Sequence, residues 1–417
     1  MARAKKSDKN LASRPSKADR LATMIKGLQK EFPNQVFRGK EFSQPWMLKR
    51  LSTGLTELDL ALGGGYPAGG LTMLKGKEGI GKNYLMNLCM ANQQQLYGAH
   101  FAAAVVSTEM PFDKIFARLC GLIIAFSEHE IAELDRRAFE ELGISLAERE
   151  IDSLRDQIGT FVTVPPGLAE ESLQRAIDFF ESGEFQVVGV DSFGSLLTKH
   201  DDDGDLSDHS KPGGAAKLIS DFARRLNSAT GMLPSGKPNM TCLIGTNQVR
   251  DNMDRANKYS KKTSESGGWA IKHARWVGIE LSSSTKLKRK VGKKEVVCGK
   301  VIRWYIDKQK AGGHEGASGT YDFYWNEGPD GLVGARRHVQ ALDMGERYDV
   351  IQKSGSFYKY NGKTVQGRDA TAAYLLANDL VQEVEEATIV AAGLHPPYMT
   401  TWEKKELKEG EEDNGEA

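Results

Sequence analysis

The chain has 417 residues, of which 40% are hydrophobic and 27% are charged, so it can form one large packed domain and a smaller one. Lysine plus arginine and aspartate plus glutamate both number 56, which excludes an overall basic field as the source of any nucleic-acid affinity. No apolar run is long enough to span a bilayer, and the basic N-terminus lacks the apolar block of a signal peptide. We therefore expect a cytoplasmic protein without a membrane partner.

The two ends of the chain differ in charge. Residues 1–17 are rich in lysine and arginine, and residues 396–417 end in a run of acids, so both are predicted to be flexible tails. Between Ala18 and Phe32, apolar residues recur at helical spacing and predict a helix that needs a surface to pack on. The four cysteines are scattered without C-x-x-C spacing, which indicates buried thiols and argues against a zinc site or a disulfide framework.

From Leu51 onward, short apolar runs alternate with helical patterns. The runs are LTML (71–74), FAAAVVST (101–108), FVTV (161–164), FQVVGVDS (185–192) and TCLIGTNQ (241–248). Near-continuous apolar strands separated by helices predict an α/β fold with a mainly parallel sheet covered on both faces.

The pattern changes in the last third of the chain. Two strand-like runs within 279–306 flank the stretch STKLKRKVGKKE and predict a basic β-hairpin, which the strand TYDFYW follows. A smaller α+β unit is predicted to begin near Gly331, with a turn at Asn361-Gly362 between two short strands.

The stretch GKEGIGKN (76–83) fits the phosphate-binding loop pattern G-x-x-x-x-G-K-[ST] except at its last position, where Asn83 stands. A strand precedes it and a helix follows, which is the context that such a loop requires. Backbone N–H groups of the loop surround phosphates, the lysine supplies a charge to the outer ones, and the last side chain is a ligand of Mg²⁺. The predicted nucleotide-binding residues of this loop are Gly76, Gly79, Gly81, Lys82 and Asn83.

Two acids follow neighbouring strands of the predicted sheet. Asp191 ends the run FQVVGVD, where a carboxylate can reach Mg²⁺ beside the loop. Glu109 ends the run FAAAVVSTE, where a carboxylate can orient and deprotonate an attacking water. The alternative is that both acids cap the helices that follow them.

The chain resembles the bacterial RecA recombinase family. The resemblance is carried by the blocks LSTGLTELDLALGGGYPAGGLTMLKG, EMPFDKIFARLCG, VVGVDSFGSLL, IGTNQVR, SGGWAIKHARW, IDKQKAG and SGSFYKYNGKTVQGRDATAAYL, and it covers about Ala18 to Asp379. Generic P-loop ATPases, including hexameric helicases and clock-type ATPases, lack the C-terminal block. The resemblance implies a RecA-type P-loop ATPase core with a mainly parallel central sheet, an N-terminal oligomerisation helix and a small α+β C-terminal domain.

The resemblance also implies a division into segments. These are a basic tail (1–17), a helix and linker for subunit contact (18–50), an ATPase core with DNA loops (51–330), a C-terminal module that binds duplex DNA (331–395) and an acidic tail (396–417). A charged insertion near 122–157 departs from the family pattern. Its charges alternate in sign, which favours a solvent-facing helical hairpin over an interaction arm.

Four residues receive roles in the nucleotide site through the resemblance. Glu109 corresponds to the catalytic carboxylate, and Asp113 with Phe116 corresponds to the pair that holds the adenine. Gln248 corresponds to the residue that senses the γ-phosphate and passes that state to the adjacent DNA loop.

Two lysines of the DKQK segment receive a role between subunits. Lys308 and Lys310 resemble lysines that reach across a subunit boundary to the ATP of the neighbour, which would make hydrolysis depend on assembly. The alternative is that both are solvated surface charges on a strand. His273 replaces an aromatic residue of the family, which leaves the details of subunit coupling open.

Two polar, basic segments follow strands of the sheet and resemble the DNA loops of the family. They span 199–226 and 250–273, and cations with an interleaved aromatic give sequence-tolerant binding of single strands. The alternative is a surface loop with solvated lysines. The candidate DNA-binding residues are Lys217, Arg224, Arg250 and Lys272.

The resemblance implies that ATP-bound subunits, with Mg²⁺, form a homo-oligomeric helical filament on single-stranded DNA and pair it with a homologous duplex in recombination and repair. It also implies single-strand-binding and mediator proteins as partners. Because the amide of Asn83 is longer than a hydroxyl and positions an ion differently, we expect ATP binding to survive and hydrolysis to be slowed. The alternative function is an ATP-binding, hydrolysis-deficient filament protein on single strands.

Overall fold

The computed structural model describes residues 16–31, 49–196, 214–233, 235–251, 263–265, 268–325, 328, 331 and 333–395. The two predicted tails and most of both predicted DNA loops lie outside these residues. The chain divides into two units, Met1–Gln44 and Pro45–Ala417. The first unit contains the predicted helix, α1 (Lys17–Glu31), on which Leu21 and Met24 are half exposed.

The second unit alternates helices and strands. Its helices are α2 (Thr56–Ala61), α3 (Lys82–Tyr97), α4 (Lys114–Leu119), α5 (Glu128–Leu142), α6 (Glu148–Arg155), α7 (Ala169–Ser182), α8 (Gly214–Ala229), α9 (Gly268–Ala274), α10 (Arg337–Arg347), α11 (Arg368–Ala377) and α12 (Val381–Ala391). Its strands are β1 (Arg50–Leu51), β2 (Tyr66–Pro67), β3 (Leu71–Gly76), β4 (Ala102–Ser107), β5 (Thr160–Val164), β6 (Val187–Asp191), β7 (Cys242–Asp251), β8 (Thr263–Glu265), β9 (Val277–Val291), β10 (Lys294–Gln309), β11 (Ser318–Tyr324), β12 (Gly334–Ala335), β13 (Gln352–Ser354), β14 (Phe357–Tyr360) and β15 (Lys363–Gln366). Within the described residues, no helix is both long and apolar enough to cross a membrane.

A large sheet forms the centre of this unit, with the order β12-β11-β10-β9-β3-β7-β6-β4-β5. The strands from β9 to β5 pair in parallel, whereas β9 to β12 pair antiparallel. The strands β3, β4 and β6 are buried along almost their whole length because helices cover both faces. This arrangement confirms the predicted α/β fold with a mainly parallel sheet.

The β9–β10 hairpin is longer than the sequence predicts. The stretch STKLKRKVGKKE was expected to separate the strands, but β9 continues to Val291 and β10 begins at Lys294. Only residues 292 and 293 form the turn, and Gly292 has a φ of 63°, the left-handed backbone that tight hairpin turns need. Regular pairing between the strands therefore extends through the basic stretch.

The charged insertion forms the helical hairpin α5–α6, as its charge pattern predicts. Its outer face carries ion pairs such as Arg136 with Glu133 at 2.7 Å. Arg118 of α4 fastens the insertion to the core, because its guanidinium donates to the carbonyl oxygens of Ile124 at 2.8 Å and Ser153 at 2.6 Å. The insertion is thus bonded directly to the helix that carries Phe116.

The C-terminal module has its own small core. Helices α10, α11 and α12 and the strands β13 to β15 bury Leu342, Ile351, Tyr358, Leu375 and Val384. The predicted turn is present, since Asn361 and Gly362 have φ values of 45° and 77° between β14 and β15. Strand β12 still pairs with β11 of the large sheet, so the chain leaves that sheet only after Ala335.

A partly buried ion pair joins this module to the rest of the second unit. The Arg337 guanidinium donates to the Glu385 carboxylate at 2.7 and 2.8 Å and to Asn92 Oδ1 of α3 at 2.9 Å. The hydroxyl of Thr56 donates to the same carboxylate at 3.2 Å. Because a buried charge is costly unless it is paired, these bonds fix the module against α2 and α3.

Asp59, near this junction, gives the protein a testable pH dependence. Its buried carboxylate accepts hydrogen bonds from Ser52 Oγ and Thr53 N, both at 2.7 Å, and burial raises its pKa to about 7. The folded state therefore retains a proton that the unfolded state loses above about pH 4. We expect the contribution of Asp59 to the unfolding free energy to decline from about pH 4 to about pH 7 and to stay level above that.

The variant Asp59→Asn isolates this effect. It should remove a decline in urea stability between about pH 4 and pH 7. The exposed Asp152→Asn serves as the control and should leave the profile unchanged. An Asp59→Asn profile parallel to that of the parent would contradict a raised pKa at Asp59.

Candidate nucleotide-binding site

The phosphate-binding loop connects β3 to α3. At Gly76, an added Cβ would stand 2.7 Å from the carbonyl oxygen of Leu281, and at Gly81 the backbone has a φ of 99°. Both positions therefore require glycine. An added Cβ at Gly79 would meet nothing within 4 Å, so the backbone there faces open space. The loop has the shape and the exposed backbone of a phosphate cradle.

The loop borders a cavity of about 500 Å³. The predicted site residues that line it are Gly79, Gly81, Lys82, Asn83, Glu109, Asp113, Phe116, Asp191 and Gln248. They come from the loop and the start of α3, from the ends of β4, β6 and β7, and from the start of α4. The structure thus brings together at one edge of the sheet the residues that the sequence assigns to a nucleotide.

Lys82 lies at the base of this cavity with its ammonium directed back at the loop. Its Nζ donates to the carbonyl oxygens of Gly76 at 3.0 Å and Lys77 at 2.9 Å. Burial lowers the pKa of Lys82, while the negative charges of Asp191 and Glu109 act in the opposite direction. The cation is therefore held by neutral acceptors, which a phosphate can replace at a gain in charge pairing.

Asn83 and Asp191 contact each other directly. Asn83 Nδ2 donates to Asp191 Oδ2 at 2.6 Å, and the Thr246 hydroxyl donates to Asp191 Oδ1 at 2.6 Å. The donor set fits Mg²⁺, because the Asn83 amide oxygen and the Asp191 carboxylate are hard oxygen ligands beside the phosphate cradle. Within the described part of the chain, no group of three or more His, Cys, Asp or Glu could hold a metal by itself. The nucleotide phosphates would have to supply further ligands.

Glu109 lies where three strand ends meet. Its carboxylate accepts from Ser195 Oγ at 2.9 Å and from Gln248 Nε2 at 3.2 Å. Glu109 does not cap the helix that follows it, whereas residues 197–213, which follow the Asp191 strand, lie outside the described structure, so the alternative stays open for Asp191. The acid that caps a helix is Asp113, whose Oδ1 accepts from Phe116 N at 2.9 Å at the start of α4.

Four residues that line the cavity on the side opposite the loop were not predicted. They are Lys300 of β10, Phe323 of β11, and Trp325 and Val333, which follow it. They reach the cavity because β10 and β11 extend the sheet antiparallel beyond β9. No motif marks them in the sequence, and only the strand TYDFYW gave a signal for this wall.

The structure does not bring Lys308 and Lys310 to the cavity of their own subunit. Both ammonium groups donate to the carbonyl oxygen of His273 at the end of α9, and Lys308 also donates to that of Lys272. Burial is the main cause that lowers the pKa of Lys308 to about 8, and the neighbouring positive charges of Lys310 and Arg275 add to it. Their predicted contact with a neighbouring ATP stays a prediction.

The structure describes the side chains of three of the four candidate DNA-binding residues. Lys217 and Arg224 are exposed on α8, where Arg224 pairs with Asp221. Lys272 is half buried on α9. Arg250 lies in β7 and pairs with Ser264 of β8, but its side chain is outside the described structure, as are residues 199–213 and 252–262.

The fold is a RecA-type α/β core, and the loop between β3 and α3 has the P-loop pattern except at Asn83. Residues 340–393 match the family model described as the RecA C-terminal domain. Protein RecA of Francisella tularensis (strain WY96-3418) is 25% identical over 398 residues, which are 95% of each chain. Protein RecA of Francisella philomiragia is 26% identical over 378 residues, which are 90% of this chain and 89% of that protein. The resemblance to the RecA family is therefore confirmed over nearly the whole chain.

Proposed function

We propose that the protein is an ATP-dependent recombinase that forms filaments on single-stranded DNA and catalyses homologous pairing and strand exchange. The contact between Glu109 and Gln248 carries this proposal. Gln248 belongs to β7, and the next residues of that strand, 249–251, pair with β8. These two strands bracket residues 252–262, the centre of the second predicted DNA loop. One side chain thus connects the nucleotide cavity to the base of a DNA-binding segment.

Different residues of the cavity bind ATP and act in its hydrolysis. The loop backbone and Lys82 bind the phosphates, and Asp113 and Phe116 border the adenine. Mg²⁺, held through Asn83 and Asp191, supplies charge neutralisation when it is bound. Glu109 orients the attacking water and accepts its proton. A γ-phosphate competes with Glu109 for the Gln248 amide, so nucleotide state changes the position of β7 and of the DNA loop.

Assembly completes the site. Lys308 and Lys310 reach the ATP of the neighbouring subunit in the filament and stabilise the developing charge there. Helix α1 supplies a contact between subunits, which propagates head to tail. Because both lysines bind carbonyl oxygens of α9 in the single chain, assembly must exchange these bonds for phosphate contacts.

The C-terminal module supplies a site for duplex DNA. Support comes from the match to the RecA C-terminal domain and from the exposed Lys359 and Lys363 on β14 and β15. Lys359 pairs with Thr364 and Lys363 pairs with Tyr360, so the two cations lie on different faces of the small sheet and each can contact a phosphate separately.

A second candidate function is a filament protein that binds ATP without hydrolysing it. The hydrogen bond from Asn83 to Asp191 favours it, because an amide donor occupies the carboxylate that would otherwise orient the metal and its water. Each 1.4 kcal/mol lost from transition-state stabilisation lowers the rate about tenfold, so a small displacement of the ion suppresses hydrolysis and spares binding.

Steady-state ATP hydrolysis with and without single-stranded DNA tests the two functions. We expect slow hydrolysis that requires DNA, and Asn83→Thr should raise the rate about tenfold or more through a hydroxyl ligand for the metal. Asn83→Ala is the matched control, because it removes the amide without adding a hydroxyl. If Asn83→Thr hydrolyses ATP and the parent does not, the result would establish the second function. If neither protein hydrolyses ATP although both bind it, the result would contradict an ATPase.

A further inference from the structure

Lys300 occupies a position in the cavity that neither the P-loop motif nor the catalytic acids explain. Lys300 lies on the same face of β10 as the buried Ile302 and Trp304, because side chains two residues apart point to the same side of a strand. This face is turned toward the phosphate-binding loop. Ile302 of this face stands 3.3 Å from where a Cβ on Gly81 would lie. Lys300 is therefore built into the wall opposite the loop, in a part of β10 that pairs with both β9 and β11.

The ammonium of Lys300 is aimed at the loop itself. Its Nζ donates to the carbonyl oxygen of Gly79 and lies 5.9 Å from the ring centre of Trp325. Within the described residues it forms no ion pair, although the cavity contains the carboxylates of Glu109 and Asp191. A half-buried cation that rests on a neutral carbonyl gains by meeting an anion.

Lys82 and Lys300 are arranged alike. Each ammonium binds carbonyl oxygens of the same loop, Lys82 from the start of α3 and Lys300 from the opposite strand. Burial lowers the pKa of both groups, and the negative charge of a bound polyanion would favour the charged form of each. The two lysines thus face the phosphate cradle from two sides.

We propose that Lys300 is a second phosphate-binding cation, which acts within the same subunit and contacts the triphosphate of ATP together with Lys82. The proposal rests on the proposed nucleotide site and adds a residue to it. A second cation would also supplement the charge neutralisation by Mg²⁺ in a site where Asn83 stands in place of the hydroxyl ligand. Binding of ATP should then depend less on Mg²⁺ than in a site with Lys82 alone.

Calorimetric binding of ATP and of adenosine, each with Mg²⁺ and with EDTA, tests this role. Lys300→Met keeps the apolar stem and removes the charge. We expect it to weaken ATP binding about tenfold to a hundredfold, the effect of one charge-assisted bond, with a larger loss in EDTA than in Mg²⁺. Adenosine binding should be unchanged, which also shows that the variant is folded.

Two further variants make the test specific. Lys300→Arg keeps the charge and should retain most of the ATP affinity. Arg303→Met removes an exposed cation from the opposite face of β10 and should leave ATP binding unchanged. Equal losses for ATP and adenosine, or no loss for Lys300→Met, would overturn a phosphate contact at Lys300 and leave the proposed function intact. A parent protein that fails to bind ATP would overturn both.

Discussion

Replacement of Glu109 by glutamine is expected to lower ATP hydrolysis by at least about a hundredfold, the smallest contribution that a positioned general base usually makes. The amide is nearly isosteric and can still bind Ser195 and Gln248, whose bonds to the carboxylate are 2.9 and 3.2 Å long. ATP affinity should therefore change by less than about threefold, because the lost function concerns only the attacking water.

Single-turnover hydrolysis with saturating single-stranded DNA measures this effect. It should be carried out in the parent and in an Asn83→Thr background, so that a slow parent does not hide the loss. Glu78→Gln is the matched control, since Glu78 also lines the cavity but has no contact with Gln248. A Glu109→Gln rate close to that of the parent would remove Glu109 from the role of general base.

Replacement of Lys82 by methionine is expected to weaken ATP binding by about tenfold to a hundredfold and to abolish hydrolysis. The ammonium now bonds to the carbonyl oxygens of Gly76 and Lys77 at 3.0 and 2.9 Å, so it already lies in the loop that we propose binds the outer phosphates. A charge-assisted bond contributes about 1.5 to 3 kcal/mol, which sets the size of the loss.

Equilibrium titration with a fluorescent ATP analogue measures the affinity. Lys77→Met is the control, because it removes a cation from the exposed outer part of the same loop. Equal losses for the two variants would mean that net charge, and not the position of Lys82, determines affinity. An unchanged affinity of Lys82→Met would place the nucleotide elsewhere.

The nucleotide site was accessible to sequence reasoning because its signals are local. A glycine pattern after an apolar strand specifies the loop, and parallel strands bring their carboxyl ends to one edge, so Glu109, Asp191 and Gln248 could be expected to meet. The insertion was also predictable, since the alternating charges of α5 and α6 are confined to one segment.

The opposite wall of the cavity was not predictable in this way. Lys300 and Trp325 reach it because β9 pairs with β3, which lies much earlier in the chain, and β10 and β11 extend the sheet from there. The extent of β9 and β10 was underestimated, because basic residues in an exposed hairpin have no apolar periodicity to mark them as strand. The burial of Asp59 was also not predictable, because in the sequence it is an ordinary acid of a helix and only tertiary packing removes it from solvent.

The most direct test of a recombinase is the joining of a labelled single strand to a supercoiled duplex in the presence of ATP and Mg²⁺. We expect joint molecules with a homologous duplex, none with a heterologous duplex of equal length, and none without nucleotide. If the protein coats single strands in an ATP-dependent manner but forms no joint molecules with the homologous duplex, the proposed pairing activity is contradicted.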